Sequence, residues 1–144
     1  MTTVIEVPRI HTWLRTVLGA DATLVSAATG GIWRGRIPHS KPHPAVVFQF
    51  LAANEDQTGS SGATRVWSVS RYIVKAVTAG NSDAAGKTIA DRIDAVLHAQ
   101  RGGADDIAID YCVRKKPIYY LEDVGDETFI HMGGEYEIAA RYAP

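Results

Sequence analysis

The chain has very little cysteine: one residue, Cys112, in 144. A single thiol cannot form an internal disulfide, so a reducing compartment is its natural setting. No apolar run approaches the roughly 18 residues of a membrane span, and residues 1–19 lack the apolar stretch and cleavage site of a signal peptide. We therefore expect a protein that folds in a cytoplasm without contact to a membrane.

The chain also lacks an excess of charge of either sign. It contains fifteen Lys and Arg residues and sixteen Asp and Glu residues, which gives a formal net charge of -1. Nucleic-acid-binding proteins usually carry a strong basic excess, so we expect no sequence-specific nucleic-acid binding. The apolar fraction of 46% and the length are ordinary for one globular domain, taken here as residues 1–144.

Apolar periodicity predicts the secondary structure. A short helix begins near Pro8, a helical turn capped by Asp21 runs to Ala28 with Leu24 and Val25 facing inward, and the longest helix covers 83–99. That last helix is capped by Ser82. Its predicted buried stripe is Ala85, Ile89, Ile93, Val96 and Leu97.

Strands are predicted at 31–38 (weakly), 45–52, 64–77, 107–114, 117–124, 128–132 and 135–142. The segment 45–52 is apolar on both faces, which favours the sheet centre. Residues 54–63 are polar and rich in Gly and Ser, which predicts a long mobile loop. Strand runs broken by one long helix predict an α+β fold, with a mostly antiparallel or mixed sheet and one long and one or two short helices on one face.

The nearest approach to a catalytic motif is Gly86-Lys87-Thr88. A P-loop needs four residues between its glycines, because the loop length decides which N–H groups surround the phosphates. Here five residues separate Gly80 from Gly86, and the predicted helix begins before the triplet. We expect a solvent-facing lysine and a small glycine that permits close packing, with a nucleotide-binding enzyme as the alternative.

Other chemical signals are equally incomplete. The serine-hydrolase elbow G-x-S-x-G is one residue short at 59–62. His39 and His43 lie four apart in a proline-rich loop without accompanying ligands at zinc spacing, and His131 is expected to be a satisfied structural histidine. Cys112 has no neighbouring base and is expected to be buried and inert. We predict no catalytic residue, no cofactor and no metal.

The order of elements resembles the tail terminator, or tail-completion, family of long-tailed bacteriophages. The similarity covers roughly residues 8–142, through WLRTVLGAD, GGIWRGRIP, PAVVFQF, RVWSVSRYIVKAV, AAGKTIADRIDAVL and YYLEDVGDETFIHMGGEYEIAARY. It implies a structural virion protein, without enzymatic activity, that forms a hexameric ring at the head-proximal end of the tail tube. Such a ring ends tube polymerisation and joins the tail to the head.

The resemblance also implies the partners: other copies of the chain, the major tail tube protein, and a head–tail connector or head-closure protein, with genome DNA passing through the lumen. Assembly would take place in the host cytoplasm. Another head–tail joining, head-closure or minor tail protein is the alternative within this class.

A ring requires contacts between two different patches of neighbouring subunits, and Trp, Tyr and Arg most often anchor interfaces. We predict interface positions in the loop after the second helix, in the polar loop, in the mixed strand and in the last strand. They are Trp33, Arg34, Arg36, His39, Asp56, Gln57, Arg65, Trp67, Arg71, Tyr72, Tyr136 and Arg141. That Trp67 and Tyr136 belong to the core instead remains open, and residues 54–63 are expected to become ordered on docking to the tube.

Overall fold

The computed structural model describes residues 6–56, 67–104 and 106–142. Its helices are α1 (Glu6–Gly19), α2 (Ala22–Ala27) and α3 (Ala84–Leu97). Its strands are β1 (Ile32–Arg34), β2 (Ala45–Asp56), β3 (Trp67–Ala79), β4 (Gly102–Ala104), β5 (Ile107–Val124) and β6 (Glu127–Tyr142).

The strands of this part of the chain form one sheet in the order β1-β2-β3-β6-β5-β4. Only the short pair β1–β2 is parallel, and every other pair is antiparallel. All the described helices contribute to a single core on one face of this sheet. The predicted α+β class with a mixed sheet is therefore confirmed. The lengths differ in one respect: α1 has 14 residues, as many as α3, instead of being short.

The N-terminal helices follow the predicted pattern closely. Ile10, Leu14 and Leu18 of α1 are fully buried. The Asp21 carboxylate caps α2 by accepting a hydrogen bond from the N–H of Leu24 at 2.8 Å. Val25 was wrongly expected to face inward, and it is 47% exposed. Because α2 has only six residues, it presents a single side chain, that of Leu24, to the core.

Helix α3 buries Ile89, Ile93 and Leu97, as predicted. Ala85 is exposed, and Gly86 takes its place on the buried face. The predicted cap is also displaced. Asp83 is the N-cap and makes no side-chain capping bond, while the Ser82 hydroxyl accepts a 3.3 Å hydrogen bond from the N–H of residue 84.

The four strands predicted after α3 are joined into two long strands, β5 and β6. Where the sequence predicts the end of a strand near Pro117, β5 continues, with a register shift between Arg114 and Lys116. Proline is tolerated there because, among the described strands, only β6 pairs with this part of β5. The Gly133-Gly134 pair likewise does not interrupt β6. A Cβ at Gly133 would lie 2.5 Å from the Cα of Lys75, so the glycine permits a close approach of β6 to β3.

Strand β2 is longer and nearer the edge than predicted. It extends through residues 54–56, which were assigned to the polar loop, and Asn54 pairs with Val69. The rest of that predicted loop, 57–63, lies outside the described residues. The centre of the sheet is formed by β3 and β6, and β2 is second from the edge. β1 pairs with β2 only from Val46 to Phe48. Beyond that point, Phe50 and Leu51 are each 40% exposed.

Candidate assembly surfaces

Four of the predicted interface residues come together on one surface. Trp33, Arg34, Arg36 and His39 line an open cavity of 630 Å³. The orientation of the Trp33 indole is fixed, because its Nε1 donates a 2.7 Å hydrogen bond to the carbonyl of Gly30. We call this surface, residues 33–39, the tryptophan loop. Its grouping was predictable because all four residues lie within seven positions of the sequence.

The tryptophan loop is connected to the core through a histidine. An Arg34 guanidinium nitrogen lies 3.3 Å from Nδ1 of His11 on α1. The His11 ring lies edge-on to Tyr72, with centroids 5.5 Å apart. Burial, followed by the charges of Arg34 and Arg15, lowers the pKa of His11 below its usual value. The imidazole is therefore neutral at pH 7 and can accept a hydrogen bond from the Arg34 guanidinium.

Arg71 lies apart from that surface, on the sheet face opposite the helices. It is 3.9 Å from a carboxylate oxygen of Glu135 and 3.9 Å from one of Glu137. Lys116 approaches Glu135 from the other side at 3.8 Å. The Arg71 side chain is 53% exposed, so it can exchange these ion pairs for a contact with a partner.

The remaining predicted residues are scattered or outside the described side chains. Arg141 is exposed and donates a 3.0 Å hydrogen bond from Nε to Asp110. Asp56 and Trp67 are paired neighbours at the ends of β2 and β3. Gln57 and Arg65 lie outside the described residues.

Tyr72 was wrongly expected at an interface, and for Tyr136 the alternative that it belongs to the core is the correct one. Tyr72 is 0% exposed and Tyr136 is 1% exposed, both beneath the helices. The Tyr136 hydroxyl donates a 3.0 Å hydrogen bond to Asp94 of α3. Burial raises the pKa of both phenols above their usual value. These side chains hold the core together and cannot contact another subunit in this conformation.

An exposed apolar edge was missed by the sequence reasoning. In β5, Tyr119, Leu121 and Val124 are each more than half exposed and Tyr120 is 42% exposed. From residue 115 onward, β6 is the only described strand that pairs with β5, so the N–H and C=O groups on its other side have no strand partner among the described residues. Exposed strand edges with apolar side chains are ready sites for pairing with another chain. We call residues 118–124 the hairpin edge.

A second cavity, also missed, opens on the same sheet face as Arg71. Its volume is 340 Å³, and polar side chains of β3, β5 and β6 meet the tryptophan loop there. Lys75 is 7% exposed, and its amine donates a 2.6 Å hydrogen bond to the Tyr120 hydroxyl. The Tyr120 ring stacks on His131 at 4.3 Å, and His131 Nε2 lies 3.1 Å from a carboxylate oxygen of Glu122. His131 is only half satisfied, contrary to prediction, because its buried Nδ1 has no hydrogen-bond partner among the described residues.

The Gly86-Lys87-Thr88 triplet does not form a phosphate-binding loop, and the near match to the hydrolase elbow at 59–62 lies outside the described residues. Gly86 and Lys87 lie within the first turn of α3, not in a loop before it, and the Lys87 amine pairs with Asp91 at 2.6 Å. Cys112 is buried, and burial, with a smaller contribution from Asp94, raises the pKa of its thiol to about 12. The predicted burial of this thiol is confirmed.

The searches for other classes of site can be stated briefly. In the residues that the structure describes, no group of three or more His, Cys, Asp and Glu side chains could hold a metal ion. Within the same residues, no helix has both the length and the apolar character needed to cross a membrane.

Comparison with known proteins identifies a solved chain with the same fold. No protein-family model matches the chain, and no curated protein matches it. Among solved structures, a chain of the virion of a native gene transfer agent particle superposes with a TM-score of 0.71 and is 11% identical. The match covers 95% of this chain and 99% of that one. At this identity the likeness establishes a shared fold across the whole domain.

Proposed function

We propose that this chain is a structural virion protein that forms a ring on the head-proximal end of a tail tube, ends its polymerisation and joins it to the head. The observation that carries the proposal is the fold shared with a virion chain over nearly the full length of both proteins. The sequence resemblance to the tail terminator family supports the position that we propose within the particle.

The surfaces of the chain are suited to such a ring. Closed rings use heterologous contacts, in which one patch of a subunit meets a different patch of the next. The hairpin edge exposes apolar and aromatic side chains, and among the described strands it pairs with β6 alone. The tryptophan loop is aromatic and basic and lines an open cavity. In our proposal one of these two surfaces meets the neighbouring subunit and the other meets the tube or the connector.

Tube assembly in the presence of the purified chain tests the function. We expect the tail tube protein alone to form tubes of uncontrolled length, and the chain to shorten them and to bind their ends. Electron microscopy measures both effects. Tubes that keep their length distribution at saturating concentrations of the chain would contradict the proposal.

A pair of matched variants tests the surface. Leu121→Asp places a charge on the hairpin edge at a side chain that is 59% exposed. Val25→Asp makes the same change on α2, where the side chain is 47% exposed. Both variants should fold, because neither side chain is in the core. We expect Leu121→Asp to lose ring formation or tube binding and Val25→Asp to retain both; equal behaviour of the two would remove the hairpin edge from the proposal.

Another head–tail joining or head-closure protein is the second candidate, because the solved virion structure fixes a fold and not a position along the tail. The two functions differ in their first partner. A terminator binds isolated tail tubes, whereas a head-closure protein binds heads that lack tails. Sedimentation of the chain with each particle separates them.

A further inference from the structure

The cavity beneath the tryptophan loop contains an ammonium group that is not in contact with any carboxylate of the described residues. Lys75 is 7% exposed, and its amine contacts the Tyr120 hydroxyl at 2.6 Å and lies 5.0 Å from the centre of that ring. No carboxylate oxygen of the described residues lies within 4.0 Å of this nitrogen. A buried charge is costly unless it is paired, and a phenol oxygen with a ring face compensates it only in part.

The cavity is positively charged overall. Lys75 and Arg36 contribute two positive charges to its lining, and Glu122 contributes one negative charge. Burial, followed by the charge of Lys75, lowers the pKa of His131, against the opposing effect of Glu122, so its ring is neutral at pH 7. The Lys, Arg and Glu side chains of the lining therefore sum to one net positive charge, which favours an anionic ligand.

The walls of the cavity indicate what carries the anion. Val47, Val77, Ile37 and Phe129 line it beside the polar groups. Such walls would pack against a short methylene stem while the amine of Lys75 meets a charged tip. An acidic amino-acid side chain has this construction.

We propose that this cavity binds a carboxylate presented by an Asp or Glu side chain of a neighbouring protein subunit. The identity of that subunit as a ring or tail component rests on the proposed function, but the preference of the cavity for a carboxylate does not. Lys75 forms the ion pair and the Tyr120 hydroxyl keeps its amine in position. Arg36, on the tryptophan loop at the rim, attracts the incoming group.

Titration of the isolated protein tests the preference. The probes are N-acetyl-glutamate N-methylamide, its uncharged glutamine analogue, and inorganic phosphate, at constant ionic strength. NMR signals of the Lys75 side chain and the His131 ring report on the cavity. We expect saturable shifts with the glutamate probe and at least tenfold weaker binding of the glutamine analogue.

Two lysine variants supply the control. Lys75→Met keeps an unbranched side chain of nearly the same length and removes the charge, so binding of the glutamate probe should be lost. Lys87→Met removes an exposed charge on α3 and should leave it intact. Absence of saturation, equal binding of the glutamine analogue, tighter binding of phosphate, or binding retained by Lys75→Met would each overturn the carboxylate site. Tube capping by the wild-type chain is measured separately, so failure here leaves the proposed function standing.

The source of the carboxylate is tested in assembled particles. A carbodiimide joins an amine to a carboxylate in direct contact, and mass spectrometry identifies the joined peptides. We expect Lys75 to be linked to an acidic residue of another chain. Linkage of Lys75 solely to Glu122, the carboxylate of its own cavity, or none in particles whose other lysines react, would overturn the assignment to a neighbouring subunit.

Discussion

Removal of the Tyr136 hydroxyl separates a core role from an interface role. Tyr136 is 1% exposed, and its hydroxyl joins β6 to α3 by a 3.0 Å hydrogen bond to Asp94. Tyr136→Phe deletes that bond and keeps the ring. Tyr72 offers a matched control, because it is equally buried and its hydroxyl makes only a 3.4 Å contact with the carbonyl of Val7.

The magnitudes follow from the two acceptors. A hydrogen bond to a charged group contributes about 1.5–3 kcal/mol to stability. Asp94 is 30% exposed and keeps an ion pair with Arg114 at 3.6 Å, which lowers the expected loss for Tyr136→Phe to about 1–2 kcal/mol. The long contact of Tyr72 predicts a loss below about 0.5 kcal/mol.

The assay is urea unfolding followed by circular dichroism, at concentrations where the chain is monomeric. For a chain of this size, each kcal/mol corresponds to a change of about 2–4 °C in Tm, so a thermal melt gives a second measurement. Ring formation and tube binding should be unchanged in both variants. A Tyr136→Phe variant with wild-type monomer stability and lost assembly would refute the assignment of this side chain to the core.

Three further outcomes follow from individual contacts. Because burial raises the pKa of Cys112 to about 12, a thiol reagent should label it slowly in the folded protein and quickly in urea; rapid labelling of the native chain would contradict this. Asp21→Ala removes the cap on the N–H of Leu24 and should cost about 1–2 kcal/mol of unfolding free energy. Its hydrogen bonds and ion pair lower the pKa of Asp21 in the folded protein. The loss of unfolding free energy in the variant should therefore be complete above the unfolded pKa of about 4 and disappear as the pH falls through the folded pKa. A loss that persists at lower pH would contradict this reasoning. Gly133→Ala places a Cβ against the backbone of β3 and should cost about 3 kcal/mol, whereas Gly19→Ala, with open space around it, should cost little in the same melts.

Local patterns predicted the elements whose apolar residues all face one core. Ile10, Leu14 and Leu18 mark α1, and Ile89 and Ile93 mark α3, because a helix that is buried on one side needs an apolar residue every three or four positions. The tryptophan loop was predictable for a similar reason, since its members are close in sequence.

Long-range pairing decided what the sequence could not. Lys116-Pro117 and Gly133-Gly134 have the composition of turns, and only their partners across β5 and β6 keep them extended. The alternation in β6 places Tyr136 on one face, but it does not say which face the helices cover.

The Lys75 cavity was inaccessible to sequence reasoning for the same reason. Its lysine, tyrosine and histidine are 45 and 11 positions apart along the chain and meet only through the register of three strands. The one available signal was the lysine in the mostly apolar run RYIVKAV. Its role could not be predicted, because it depends on the residues opposite it on the neighbouring strands.

Localisation of the chain in purified particles tests the central claim most directly. A short tag fused after residue 144 and labelled with gold can be seen by electron microscopy. The account predicts label at the junction of head and tail and at the head-proximal end of free tails. Label along the tube, at the distal tip, or absent from particles would contradict the proposed function.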